Sequence, residues 1–324
     1  MSRSIEITSN EKNFLHTALK NGIRLSSRKF NQLRDIQIQL STKEYGYVEV
    51  SWGKSKVAVR VSAKITKPYE DRPFEGIFQI NNEISSISSL KFDNNTTKVQ
   101  QQDENLISRI IEKSIRKSNS IDLENLCIIA GEKCWEILVD LNFLNFDGNF
   151  IDLGCFATML ALNHFKKPDI TISQDSVIIH DLNERQPVGL SILHNPICLT
   201  YSFFNLNSKE MNIKGEEIGE RDDEDEDNEE VDYSEEICIL DADGQEELLR
   251  DGSLSITLNK NREILQLSKN GGIPINAEKL LNLCYQSMEH IDYLTELLKI
   301  KIKENEEIRY KNENFKLLES SADR

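Results

Sequence analysis

Between Asp35 and Ile65 apolar and polar residues alternate: IQIQL, YVEVSW and KVAVRVSAKI repeat a period of two, are rich in β-branched residues and are separated by TKEYG and GKSK. This pattern predicts three strands of an antiparallel meander. Before and after it the period becomes helical. Residues 9–21, SNEKNFLHTALKN, start with a capping-box-like Ser and Glu, put Phe14, Leu15, Ala18 and Leu19 on one face and meet Gly22, so they predict an amphipathic helix. Residues 104–117, ENLISRIIEKSIRK, carry apolar side chains at 106, 107, 110, 111 and 115 and predict a second helix, whose other face holds Arg109, Lys113 and Arg116. LCIIAG and WEILVDLNFL predict two more strands. The run Leu153–Leu162 has the spacing of a buried helix that ends before Pro168.

Beyond Pro168 a similar order returns. ITI, VIIH, ICLTYSFF, EICIL, SLSITLN and EILQLSKNGG read as strands and precede a helical segment from Asn276 toward Lys303. Past Lys303 the apolar residues thin out, which predicts a fraying or solvated helical tail. Strands followed by helices, twice, define an α+β fold of helix-layered sheets, and 324 residues suit two domains. The expected division is an N-terminal helix and arm over 1–30, domains over 31–168 and 169–303, and a charged tail over 304–324.

Composition narrows the class. With 38% hydrophobic and 29% charged residues, no apolar run near the roughly 20 residues of a membrane span and no apolar signal-like start, the chain reads as a cytosolic or nuclear globular protein. Six cysteines without a CxxC pair read as reduced, buried thiols, and the dispersed histidines, His164 and His194 included, read as packed or partly exposed residues. Neither a metal site nor a cofactor is expected. The net charge of −16 is concentrated: residues 216–236 hold 14 acids against one base, a net of −13, so the other 303 residues carry only −3. That segment is expected to be a solvated insertion at a hairpin tip, with docking of a basic partner as the alternative.

The stretch DGNFIDL, 147–153, carries the most telling chemistry. Gly148 permits a tight turn onto a helix N-terminus, a place that attracts anions, yet Asp152 is expected at the N-cap, where its own carboxylate would take the free N–H groups. The blocks GIRLSSRKFNQLRDIQI, KPYEDRPFEGIFQINNEIS, LISRIIEKSIRKSNSIDLENLCIIAGEKCWEILVDLNFLNFDGNFIDL, LSILHNPICLTYSFFN and ELLRDGSLSITLNKNREILQLSKNGG together resemble the RNase PH family, and within it the ring subunits of the eukaryotic RNA exosome. The resemblance implies two RNase PH-type domains of the ribosomal protein S5 domain 2-like kind, with βαβ-type sheets. It also implies a six-member ring whose pore threads single-stranded RNA. Other RNase PH-type ring subunits, S1/KH-type cap subunits and an associated exoribonuclease are the partners it implies, in nucleus, nucleolus and cytoplasm, with no membrane contact.

By the same resemblance, the motif that holds the attacking phosphate in active members falls on Asn149, Phe150, Ile151 and Asp152, with Ile151 at the arginine position. An isoleucine offers no bidentate contact, and Asp152 would repel a phosphate by about 4 kcal/mol at contact distance near a surface. Phosphorolysis is therefore expected to be lost, with no catalytic residue remaining. The family's magnesium-holding acids match Asp241, Asp243, Glu246 and Glu247, which either bind a metal or, as expected here, finish a solvated hairpin. Arg109, Lys113 and Arg116 are the expected RNA contacts; the alternative is pairing with interface acids such as Glu112. Arg24, Arg28 and Arg34 match the family's arginine-bearing opening and are expected in interface structure. Lys54, Lys56, Arg60, Lys64 and Lys67 are expected on one solvent face. The resulting expectation is a non-catalytic exosome ring subunit. A phosphate-dependent 3′ exoribonuclease with an atypical site at Asp241 and Asp243, and a free-standing interaction protein using the acidic loop, are the alternatives.

Overall fold

The computed structural model describes residues 8–89, 92, 97–173, 176–180, 185–205, 236–272 and 274–322. After helix α1 (Ser9–Lys20) come strands β1 (Ile36–Leu40), β2 (Tyr47–Trp52), β3 (Ser55–Thr66) and β4 (Ile77–Ile84), helix α2 (Thr97–Arg116), β5 (Cys127–Ile129), β6 (Lys133–Asn145) and helix α3 (Phe150–His164). The strands form one sheet in the order β1-β2-β3-β6-β4, with β5 beside β6. The meander is antiparallel as its alternation predicts, and every second side chain from Val48 to Val61 is buried. β4 lies parallel to β6, so β4, α2 and β6 make a βαβ crossover.

The short pairs β7 (Lys166–Lys167) with β10 (Val188–Gly189) and β8 (Ile170–Ser173) with β9 (Ser176–Ile179) lead into a second, antiparallel sheet. It comprises β11 (Ile197–Asn205), β12 (Glu236–Leu240), β13 (Gly252–Leu258) and β14 (Ile264–Gly271), ordered β12-β11-β13-β14, with helix α4 (Gly244–Leu249) between β12 and β13. Helix α5 (Ala277–Ala322) follows as one 46-residue element. α3 touches β2 and β3 of the first sheet and β11 of the second, so it lies between the sheets and is buried almost all round. β11 is in turn covered on both faces, by α3 and α5. This explains why ICLTYSFF is a continuous apolar run instead of an alternating one.

Several expectations change. The N-cap of α1 is Thr8, one residue before the predicted Ser: its hydroxyl accepts from Glu11 N at 3.4 Å, while Glu11 Oε2 accepts from Thr8 N at 3.0 Å. Phe14 is 62% exposed, and only Leu15 and Leu19 pack inward, against Phe204 and Ile239 in a small core of their own. β4 was not predicted, because IFQINNEI breaks alternation with Asn81 and Asn82 in succession. α2 starts at Thr97, before the predicted 104. Lys56, Arg60 and Lys64 do share a face of β3, but they meet Glu49 at 2.7 Å, Glu44 at 2.6 Å and Glu136 at 3.2 Å, which leaves that face close to neutral. α5 does not fray at Lys303: Asn305 and Arg309 are buried. Residues 216–235 of the acidic run lie outside the described residues.

Candidate functional site

β6 turns into α3 through Gly148 and Asn149, both left-handed with φ of 80° and 57°. Glycine is required at 148 on two grounds, since a Cβ there would lie 2.7 Å from the carbonyl oxygen of Ala242. The turn thus presses against the segment between β12 and α4, and brings the two blocks of predicted site residues together. Asn149, not Asp152, occupies the N-cap. Asp152 sits at the third helical position, fully buried, and its carboxylate points away from the helix ladder: it accepts from Thr200 N and Thr200 Oγ1, each at 2.7 Å, and from Asn149 Nδ2 at 2.8 Å. The N–H of Asn149 goes to Glu247 Oε2 at 2.9 Å. A protein carboxylate, Glu247, therefore stands at the turn where a bound anion would need the N–H.

Burial pushes Asp152 up to about 7, against the hydrogen bonds from Thr200 and Asn149. The repulsion of phosphate expected from Asp152 is weakened accordingly, and Glu247 at the turn is itself paired with Arg250 at 2.9 Å. The shift carries a stability signature. The folded state holds this proton where the unfolded chain has released it, so the contribution of Asp152 to stability should fall as pH rises from about 4 to about 7, at up to about 1.4 kcal/mol per pH unit. Because His164 pulls the other way over part of this window, the test is the difference between the native chain and Asp152→Asn in denaturant unfolding. The native chain's advantage should shrink as pH rises, and a difference that does not change with pH would mean the carboxyl titrates normally. Ile151 is half-buried and packs against the core. Before it Phe150 stacks on Phe143 with ring centres 4.2 Å apart and meets Phe146 at 4.8 Å. The positions expected to correspond to the family's phosphate motif are thus an aromatic wall and an isoleucine.

The acidic cluster is not a solvated hairpin end. Asp241 is 0% exposed. Its carboxylate accepts from Arg34 N at 2.9 Å, Arg34 Nε at 3.0 Å, Arg34 Nη2 at 2.7 Å, Trp52 Nε1 at 3.0 Å and Asn149 Nδ2 at 2.8 Å, and Arg28 lies 3.3 Å away. Arg28 also binds Asp243. Arg24, buried, grips both oxygens of Glu246 at 3.0 and 2.6 Å and donates to the carbonyls of Leu240 and Asp241. Glu246 closes a capping box with Asp243 at the start of α4. Burial alone would raise Asp241, but the charge and hydrogen bonds of Arg34 outweigh it and hold the carboxyl below the usual range. Asp243 goes the other way, raised by burial against the pull of Arg28. Arg24, Arg28 and Arg34, expected in interface structure, are thereby spent inside the chain as the other half of this cluster. A carboxylate so fully engaged is neither a free base nor an open ligand; it fastens the first sheet to the second. Among the described residues no group of three or more His, Cys, Asp or Glu is arranged to hold a metal ion.

Arg109, Lys113 and Arg116 do come together, along one side of a groove of about 900 Å³ that also includes Arg72 and Lys117. Arg116 pairs with Glu112 at 3.1 Å on its own helix, an exposed pair worth a few tenths of a kcal/mol (~0.3–0.5) that a phosphate can displace. Among the described residues Arg109 and Lys113 have no ion-pair partner. Arg72 was not among the predicted site residues; its loop position gives no helical period, and only the basic-aromatic mixture of KPYEDRPFEG signals it.

A six-element helix-layered sheet followed by a four-stranded antiparallel sheet, closed on each other by an arginine–acid cluster, is a two-domain 3′ exoribonuclease architecture. The models of the 3′ exoribonuclease family match accordingly, domain 1 over residues 32–168 and domain 2 over residues 225–289, and the chain belongs to this RNase PH family. It is 47% identical over 311 residues to exosome complex component RRP45 of Saccharomyces cerevisiae, covering 96% of each chain. It is 42% identical over 282 residues to exosome complex component rrp45 of Schizosaccharomyces pombe, covering 87% of this chain and 86% of that one. A solved Archaeoglobus fulgidus exosome with RNA bound to the active site shares the fold, with a TM-score of 0.67 at 22% identity over 89% of this chain and 97% of that one.

Proposed function

We propose that this chain is a non-catalytic ring subunit of the RNA exosome core, which pairs with other RNase PH-type subunits, lines the channel for single-stranded RNA and leaves cleavage to an associated nuclease. S1/KH-type caps would complete the particle. Relatives at 47% and 42% identity bear the names of exosome components. The observation that carries the non-catalytic part is the state of the acids: Asp241 is saturated by Arg34, Trp52 and Asn149, and Glu247 takes the turn N–H beside Ile151. A phosphate-dependent exoribonuclease at Asp241 and Asp243 would have to break these contacts to bind magnesium. The purified chain, alone and in its ring, should release no nucleoside diphosphates from RNA when phosphate and magnesium are supplied; release that disappears in Asp243→Asn would establish the enzyme instead.

RNA retention rests on Arg109, Lys113 and Arg116. Converting all three to alanine in the assembled ring should weaken binding of a single-stranded RNA and flatten the slope of log K against log salt by about 2, near 0.7 for each cation lost. An unchanged slope would remove these residues from the RNA path.

A further inference from the structure

The groove beside α2 continues past Arg116. A second depression of about 310 Å³ shares Arg72, Glu75, Glu112 and Arg116 with the first and runs on over Tyr69 and Gln79. Their common wall is the loop 67–76, and its shape is fixed from two sides. Pro73 O accepts from Gly131 N at 2.9 Å, and Gly76 N donates to Leu123 O at 2.8 Å. Gly76 has no room for a side chain, since a Cβ would meet Leu126 at 2.3 Å. On this fixed loop Tyr69 is 54% exposed and Phe74, next to Glu75 of the shared wall, is 66% exposed. Gln79 Nε2 donates to the Tyr69 hydroxyl at 3.4 Å, which steadies the ring by its polar edge.

Charge alone accounts poorly for RNA held in this groove. Arg72, Arg109, Lys113, Arg116 and Lys117 face Glu75, Glu112, Asp122 and Glu124, so the lining carries one net positive charge. Arg72 and Arg116 are already met by Glu75 and Glu112, each at 3.1 Å. A polyanion here can release counterions at only a few positions, chiefly Arg109, Lys113 and, where phosphate displaces Glu112, Arg116. Aromatic faces supply attraction that does not depend on charge and that any base can use. We propose that Tyr69 and Phe74 form a base-stacking platform on which this groove takes an unpaired stretch of RNA, while Arg109 and Lys113 hold its phosphates. This rests on the channel reading above, and adds to it the part of the binding that salt does not screen.

The test uses the ring assembled with its partner subunits and a short oligouridylate. Tyr69→Ala and Phe74→Ala should each weaken binding between about fivefold and a hundredfold, with the slope against salt unchanged. Tyr69→Phe, which keeps the ring face and loses only the hydroxyl, should bind like the native chain. Arg109→Ala should instead lower the slope. If both aromatic variants bind normally while the triple cation variant weakens, the platform is wrong and the channel reading stands; if neither set moves, the channel reading fails as well. Native mass decides the remaining outcome: a ring that no longer assembles with Tyr69→Ala or Phe74→Ala would make these rings subunit contacts and overturn the platform.

Discussion

Replacing Asp241 by alanine is expected to cost about 3–5 kcal/mol of folding stability, the largest effect of any single change around the junction. The side chain is fully buried, and its removal leaves Arg34 inside the protein with three donors that have lost their one partner, Trp52 without an acceptor, Asn149 with only Asp152 left of its two, and Arg28 short of one of its two acids. Uncompensated buried charge is the costly part of such a cluster, more than the lost attraction itself. Asp241→Asn should recover little, because its amide would confront the Arg34 guanidinium with donors. Urea unfolding and the thermal midpoint measure the loss. The pH dependence gives an independent sign. Because Arg34 holds Asp241 below the usual carboxylate range, the unfolded chain takes up protons first as pH falls, so this stability is present above about pH 4 and drains away below it. A metal-binding or general-base aspartate would behave otherwise: its neutralisation would relieve the fold while abolishing chemistry. A stable Asp241→Asn would therefore argue for a working site.

Local period explains most of what the sequence discloses. Alternation from Ile36 to Ile65 places β1, β2 and β3, and an apolar run without a polar face places α3 between two sheets. The seven-residue interval between Arg109 and Arg116 likewise suffices to group them on one side of α2. Failures occur where buried residues are polar. β4 hides behind Asn81 and Asn82, and α4 behind a run of acids whose Glu246 is buried only because Arg24 reaches it from 222 residues away. Both halves of the junction cluster are visible as residues, three arginines near the start and four acids near 241–247, but nothing periodic joins Arg34 to Asp241 across 207 positions. The helix-start acid was misplaced for a related reason: Asp152 has the composition of a cap, yet Thr200 on β11 offers it both an N–H and a hydroxyl, so tertiary contact outcompetes the local one. Tyr69 and Arg72 lie on a loop whose shape comes from Gly131 and Leu123, partners no window around the loop contains.

The end of α5 supplies the second large effect. Composition marks residues after Lys303 as a solvated tail, whereas Arg309 docks on the turn between β1 and β2. It donates to the carbonyls of Ser41 and of Glu44, the latter at 2.8 Å, and to Asn305 Oδ1 at 3.1 Å, with its guanidinium 3.9 Å from the centre of the Tyr45 ring. Asn305 reaches Leu40 O at 3.2 Å. Arg309→Ala should cost about 3–5 kcal/mol, from charged hydrogen bonds of roughly 1.5–3 kcal/mol each and a desolvated cation–π contact of about 2. Arg309→Lys should recover only part, since a point charge cannot serve two carbonyls and a ring at once. His164 reports the loss separately. Its Nδ1 accepts from Gly46 N at 3.1 Å, and burial, then the charge of Arg309, lower it to about 4. The folded state thus refuses a proton that the unfolded chain accepts near pH 6.5, and the contribution of His164 to stability falls as pH drops from about 6.5 toward 4. Without Arg309 one of the three depressing influences, burial, Arg309 and Lys166, is gone, the His164 pKa rises, and the His164 contribution lost between pH 7 and pH 5 should be smaller than in the native chain. Unfolding curves at those two pH values decide it: an equal or larger loss in Arg309→Ala would show that His164 is kept neutral without Arg309 and that α5 clasps the first sheet by packing, not by charge.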